Sequence, residues 1–294
     1  MPIGAVDRAA PGPIAEAADT DLGPEVVIRP SKGLVPLNLR DLWAYRNLLY
    51  FLCWRDIKVR YKQTFLGASW ALLQPVLNMI IFTVIFGNLA HLKSEGVPYP
   101  VFSYTALLPW TFFAYAMTQS ANSLVNSAYL VSKVYLPRLI IPIASAMAGL
   151  VDFALAFLVL IGLMIYYHIA PTIALFLLPL FLLLAMLAAL AVGIGLSALN
   201  VQYRDVRYVV PFLSQVWMYA TPVVYASSLA TGKLHVILSL NPMTGVVEGF
   251  RWALLGRQGL DIGALTLSAA ATILVLVASL YYFRRVEQQF ADMV

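Results

Sequence analysis

Charge is scarce in this sequence. Only 11% of its 294 residues are Asp, Glu, Lys or Arg, where a soluble globular chain carries roughly 25%. Such a deficit excludes a water-facing surface over most of the molecule. Cysteine is nearly absent: Cys53 stands alone, which excludes an internal disulfide framework. Its cationic neighbours point to a cytoplasmic-side position, where it reads as a small apolar side chain. The three histidines, His91, His168 and His235, are scattered at the outer ends of hydrophobic stretches and read as interfacial residues, so no metal site is expected. No G-x-x-x-x-G-K-[ST] loop is present. The nearest text, Ser227 to Leu234, lacks the first glycine and has Leu234 where Ser or Thr is required. H-E-x-x-H, G-x-S-x-G and paired carboxylates are also missing, which argues against an embedded hydrolase or transferase. Residues 1–36 lack the apolar core of about 7–15 residues that a signal peptide needs. Rich in Pro, Ala, Gly and acids, they are expected to form a disordered cytoplasmic tail.

Apolar side chains make up 61% of the residues, and the mean hydropathy is +0.81. They fall in long uncharged stretches: 63–90, 96–132, 139–167 (interrupted by Asp152), 171–200, 208–227 and 262–283. Crossing a hydrocarbon core takes about 20 apolar residues of helix. Helix is the open-chain way to satisfy the backbone in lipid, and the alternating strands of a barrel are absent. The expected fold is therefore an all-α polytopic membrane protein with about six transmembrane helices, occupying residues 63–285.

An even number of spans puts both termini on one side. That side collects Arg8, Arg29, Lys32, Arg40, Arg46, Arg55, Lys58, Arg60, Lys62, Lys133, Arg138, Arg204, Arg207, Arg284 and Arg285. Lys93, Lys233, Arg251 and Arg257 fall on the other. The 19 cations divide 15 to 4, so both termini, including the tail 286–294, are expected in the cytoplasm. The same division explains the net charge of +5 without nucleic acid as a partner.

Two apolar segments do not read as spans. Within 37–62, the block Leu48–Trp54 is too short to cross, and Trp43, Tyr45, Tyr50 and Trp54 suit an amphipathic helix lying in the cytoplasmic interface. The stretch 234–255 is broken by Asn241, Pro242, Gly245, Glu248 and Arg251. Short re-entrant helices on the external side fit it, provided protein shields their ends.

Three constellations carry candidate chemistry. Asp152 is the one ionisable residue inside a predicted span, and such a carboxylate is a functional candidate. A relay needs partners, and no second intramembrane acid or base is visible, so a neutral or hydrogen-bonded carboxyl at a helix contact or wet cavity is expected. Aromatic residues are dense, and sugar C–H faces stack on rings whose Tyr or Trp polar atoms add a handle. A conduit lined by Trp70, Gln74, Asn78, Phe82, Phe86, Tyr104, Trp110, Gln215, Trp217, Tyr219 and Tyr225 is one reading, and interface belts are the other. Two cytoplasmic stretches, 126–138 and 203–207, are either docking surfaces for a motor or ordinary topogenic charge.

The ordered text resembles the membrane subunit of ABC-2-type exporters, specifically those that move polysaccharides such as O-antigen, capsule or teichoic acid. The similar pieces are Arg55-Asp56-Ile57-Lys58-Val59-Arg60-Tyr61-Lys62, Leu66-Gly67 with Trp70 and Gln74-Pro75, and Lys133-Val134-Tyr135-Leu136-Pro137-Arg138. Tyr203-Arg204-Asp205-Val206, Thr221-Pro222-Val223-Val224-Tyr225, Asn241-Pro242-Met243 and Glu248-Gly249-Phe250-Arg251 follow in order, so the likeness covers roughly residues 38–290. The resemblance implies a homodimer with two cytoplasmic ATPase subunits, which bind the ATP and Mg²⁺; this chain carries no cofactor. It implies a bacterial inner-membrane location and a polysaccharide or undecaprenyl-linked glycan moving between protomers. It implies ATPase coupling through Arg55, Lys58, Arg60, Tyr129, Lys133, Tyr135, Arg138, Arg204 and Asp205, and an external gate at Asn241, Pro242, Glu248 and Arg251. The competing readings are an ABC-2 exporter of a drug or small lipid, an ion-coupled secondary transporter, which should show repeats and several intramembrane charges, and a membrane enzyme.

Overall fold

The structure, a computed structural model, describes residues 43–62, 67–92, 94–134, 136–230, 232–256, 259–287 and 290. The expected tail 1–36 and Tyr135 lie outside these. Among the described residues every regular element is helical. α1 is Arg46–Lys62, and α2 is Gly67–Phe82, continued by a π-helical stretch Thr83–Leu89. α3 is Tyr99–Asn126, α4 Ala128–Lys133, α5 Ile140–Met147 and α6 Gly149–Tyr166. A 3₁₀ turn, Ile173–Leu177, leads into α7, Leu178–Gln202, and α8 is Val206–Ala220. α9, Lys233–Ser239, and α10, Pro242–Leu255, form a short pair before α11, Ile262–Val286.

Four segments are long and apolar enough to cross a membrane: Ser69–Leu89, Ile140–Tyr166, Ile173–Gln202 and Ile262–Val286. The other two expected spans differ for physical reasons. α3 has 28 residues, but it carries hydroxyl and amide groups that lower its hydropathy. Several of these bond back to their own helix, as Thr105 does to the Val101 carbonyl at 2.7 Å and Asn122 to the Thr118 carbonyl at 2.9 Å. α8 has only 15 residues, about 22 Å of helix against roughly 30 Å of hydrocarbon. The chain continues beyond it through a buried non-helical segment, 221–224.

α3 is the central post. Residues 101–110 are buried without a break, so this helix presents no solvent face there. It packs against α7, α5, α6, α10 and α2. α7 sits between α3 and α11, and two glycines set its spacing. A Cβ on Gly193 would stand 2.6 Å from Ser120 Cβ on α3, and one on Gly195 would stand 2.7 Å from Ser279 Oγ on α11. Small residues allow this close backbone approach where lipid supplies no hydrophobic drive between helices.

α10 has defined ends. Asn241 caps α10 by accepting from Met243 N at 3.0 Å, with Pro242 in the first turn. Gly256, at φ +62°, closes it with its N–H on the Trp252 carbonyl at 3.2 Å. α10 is buried along almost its whole length.

Candidate functional site

A cavity of about 520 Å³ opens between α2, α3, α6 and α8. Pro75 and Pro211 stand on its wall, inside α2 and α8 respectively. The polar lining consists of Gln74, Asn78, Thr111, Tyr115, Thr118, Gln119, Ser214 and Gln215, with Arg60 and Asp152 as the charged pair. Trp110, Phe112 and Phe153 supply rings, and Phe112 meets Phe153 edge-on at 5.7 Å. Amides, hydroxyls and ring faces together suit a polyhydroxylated ligand.

Of the residues expected to line a conduit, Gln74, Asn78, Trp110 and Gln215 stand on this wall. Trp70 and Tyr219 lie outside it and are about half exposed, at 54% and 53%. Phe82 is buried, and Phe86 meets it edge-on at 5.7 Å, farther along the same helix. Tyr104 departs from the expectation. It is fully buried, its hydroxyl donates to the Ala156 carbonyl at 3.1 Å, and it holds α3 to α6 from within the core. Trp217 packs edge-on to Phe113 at 5.2 Å and donates its indole N–H to Asn241 Oδ1 at 2.9 Å. Tyr225 donates to the Tyr219 carbonyl at 3.4 Å.

Asp152 lines this cavity and is hydrogen-bonded, as expected, but it also has a charged partner that the spans alone do not supply. Arg60 Nη2 lies 2.6 Å from Asp152 Oδ2, and the Tyr61 hydroxyl donates to Oδ1. The Arg60 guanidinium also stacks over the Tyr115 ring, 4.2 Å from its centroid. Of the two expected states, neutral or hydrogen-bonded, the carboxyl takes the hydrogen-bonded one, with an ion pair added. Its cation comes from α1, outside the predicted spans and far away in sequence, so no local pattern signals the pair. Burial, and then the bond to the carboxylate, pushes the Tyr61 phenol well above its ordinary value, so it acts as a donor. On the same helix, Asp56 accepts from Ser145 at 3.0 Å and pairs with Arg55 at 2.8 Å. Cys53 is half-buried; burial first, and then Asp56, pushes its thiol up, away from the thiolate.

The expected coupling residues divide in two. Tyr129, Lys133, Arg204 and Asp205 are exposed, and Lys58, also exposed, sits 5.4 Å from the Trp54 ring. Arg55 is engaged with Asp56, and Arg60 with Asp152. Arg138 turns inward. It donates to the Glu287 carbonyl at the end of α11 and lies over Phe290, 5.9 Å from the ring centroid. Phe290 is fully buried against Phe283. Neither Glu287 nor Phe290 drew notice in the sequence, and nothing local there signals the contact.

The expected external gate is a bonded unit. Asn241 joins α10 to Trp217 and, through Nδ2, to Thr221 Oγ1 at 2.9 Å. Buried Arg251 donates to the Val223 and Tyr225 carbonyls at 2.8 and 3.2 Å and stacks on Phe102 at 3.8 Å. The Tyr99 hydroxyl donates to the Val224 carbonyl between them at 2.7 Å. Three consecutive carbonyls that no helix satisfies thereby find partners. Glu248 and Pro242 complete the unit on α10.

These features define an all-helical, multi-pass membrane protein with a polar cavity among its helices. The comparisons with known proteins make the class specific. The chain belongs to the ABC-2 type transporter family, whose profile matches residues 47–255. It is 29% identical over 257 residues to an O-antigen export system permease protein, RfbA, of Myxococcus xanthus, covering 86% of this chain and 98% of that one. An RfbA permease of Klebsiella pneumoniae is 28% identical, with coverage of 84% and 94%. The polysialic acid transport protein KpsM of Escherichia coli is 26% identical, with coverage of 80% and 91%.

Proposed function

We propose that this chain is the transmembrane subunit of an ATP-driven exporter that moves a polysaccharide or lipid-linked glycan out of the cytoplasm. The observation that carries the reading is likeness to polysaccharide-export permeases over nearly their whole length. The cavity supports it, since its amides, hydroxyls and rings match a sugar chain better than an ion or an apolar drug.

In this reading the working unit is a homodimer bound to two cytoplasmic ATPases, which hold ATP and Mg²⁺. Six crossings are formed by α2 with its π-helical end, α3, α5 with α6, α7, α8 with the segment after it, and α11. Both termini are cytoplasmic, and α1 lies in the inner interface of a bacterial cytoplasmic membrane. Residues 1–36 and 286–294 are tails, and 37–62 and 63–285 are the interface helix and the transmembrane domain. Lys133 and its exposed neighbours meet the motor, while α9 and α10 close the outer end.

The test is disruption of the reading frame in its own organism. Surface glycan should disappear and polymer should accumulate inside, and the affinity-purified chain should bring down a separate ATPase. Unchanged surface glycan would reject the reading.

A further inference from the structure

A second cavity, of about 960 Å³, opens beside the first, between α1, α3, α4 and α5. Its wall includes Arg55, Asp56, Ser123, Asn126 and Ser145. The two cavities share three wall residues, Arg60, Tyr115 and Gln119. The boundary is therefore built from side chains of α1 and α3, with Asp152 of α6 pairing Arg60 from the other side.

We propose that the Arg60–Asp152 pair, stacked on Tyr115, is the inner seal of the transport path, separating a cytoplasmic loading chamber from the cavity among the spans. The proposal rests on the glycan-export reading above and assigns a place in that path where passage is controlled.

Three observations support a seal over a fixed strut. First, Asp152 is held through both oxygens by neighbouring residues of one helix, Arg60 and Tyr61, so a single displacement of α1 removes both partners together. Second, α1 is shallowly seated, since Leu52 is its one buried residue among those described. A helix with so little buried surface can shift without dismantling the core. Third, the pair is only partly enclosed, with side-chain exposures of 34% and 17%. Water or sugar hydroxyls arriving from the chamber can take over its hydrogen bonds as it parts. A deeply buried pair would resist separation, because each charge would be stranded. A partly exposed pair closes the passage at rest and opens at modest cost.

The structure also says what sits on each side. The cytoplasmic chamber presents Ser123, Asn126, Ser127 and Ser145, and the cavity among the spans presents Gln74, Asn78, Ser214 and Gln215. Both are hydroxyl- and amide-rich, so a polyhydroxylated chain finds the same chemistry before and after the seal. The chamber wall carries a second ion pair, Arg55–Asp56, but Arg60–Asp152 is the one that stands at the boundary between the two spaces.

The test uses the full chain assembled with its ATPase in membrane vesicles. Asn78→Cys, in a Cys53→Ser background, reports on the cavity among the spans through its rate of reaction with a membrane-impermeant cationic methanethiosulfonate. With reagent on the cytoplasmic side, Asp152→Asn and Arg60→Gln should each raise that rate at least ten-fold. The exchange Arg60→Asp/Asp152→Arg should bring it back within two-fold of the unaltered pair. Rates unchanged in both single variants overturn the proposal, as does an exchange variant as reactive as the singles. General loosening of the fold is recognised by reagent on the outer side. Acceleration there equal to that on the inner side also overturns the proposal. These rates do not depend on glycan export, so a chain that exports no glycan would reject the functional reading while leaving the seal to stand or fall on its own measurement.

Discussion

Trp217 on α8 and Asn241 at the start of α10 share a hydrogen bond, indole Nε1 to side-chain Oδ1 at 2.9 Å. The same Asn241 oxygen caps α10, and its amide nitrogen holds Ala220 and Thr221. One side chain thus joins the end of a candidate span to the α9–α10 pair. Asn241→Ala should cost about 2 kcal/mol, a cap plus the lost bonds. Trp217→Phe, which keeps the ring against Phe113, should cost about 1 kcal/mol. Asn241→Asp keeps the cap but turns a carboxylate toward the Ala220 carbonyl, so it should also destabilise. Thermal unfolding of the purified full chain ranks the three; a neutral Asn241→Ala would remove the proposed link.

Arg251 is the next test. Its guanidinium satisfies two carbonyls and stacks on Phe102. Arg251→Met retains bulk yet orphans those carbonyls, and should cost about 2–4 kcal/mol. Arg251→Lys should recover less than half of that loss, because an ammonium cannot reproduce a planar fork that bonds and stacks at once. Full rescue by lysine would show that charge alone matters here.

Glu248 should make the stability of the α10 region pH-dependent. Burial raises its carboxyl above the usual range. Arg251 and His235 oppose that rise, while Asp261 and Glu95 add to it. A raised carboxyl favours the neutral form in the fold. Its stabilising contribution is complete below the ordinary carboxylate range and is lost as pH climbs through the raised value. Glu248→Gln should therefore flatten the fall in Tm as pH rises above the ordinary carboxylate range. An unchanged slope would assign the pH response elsewhere.

Lys133 and Arg138 carry the same charge five positions apart but have different surroundings. Lys133 is exposed, whereas Arg138 is spent on Glu287 and Phe290. Lys133→Glu should lower export per ATP hydrolysed with a stability change within about 0.5 kcal/mol. Arg138→Ala should destabilise the chain, and Phe290→Ala should resemble it. Identical behaviour of the two basic residues would contradict this division.

Exposed rings and buried rings should also separate. Trp70→Ala and Tyr219→Ala should reduce glycan export while changing stability by less than about 0.5 kcal/mol. Tyr104→Phe should leave export intact and cost about 1 kcal/mol through the orphaned Ala156 carbonyl. Normal export from the Trp70/Tyr219 double variant would remove those two rings from the glycan's path.

Much of the helical frame is legible in the sequence because lipid demands long uncharged runs, and those runs coincide with α2, α5 to α6, α7 and α11. α3 is harder to read. It is buried all round, so periodicity cannot tell Tyr104, inside the core, from Trp110, on the cavity wall. The partners of Asp152 are invisible locally, because Tyr61 lies 91 positions away in sequence. Arg138 likewise reaches 149 positions to Glu287. Contacts of this kind depend on how helices are placed against one another, and composition carries no record of that placement.

The run of carbonyls at Val223, Val224 and Tyr225 has a mechanical consequence. Tyr99 pins one of them to α3, and Arg251 pins two to α10. Along α8 itself only Val210 is buried among the described residues. The helix is therefore moored at its C-terminal tip and lightly held over the rest of its length. It should swing like a door hung from one jamb, with the widest travel at the Val206 end.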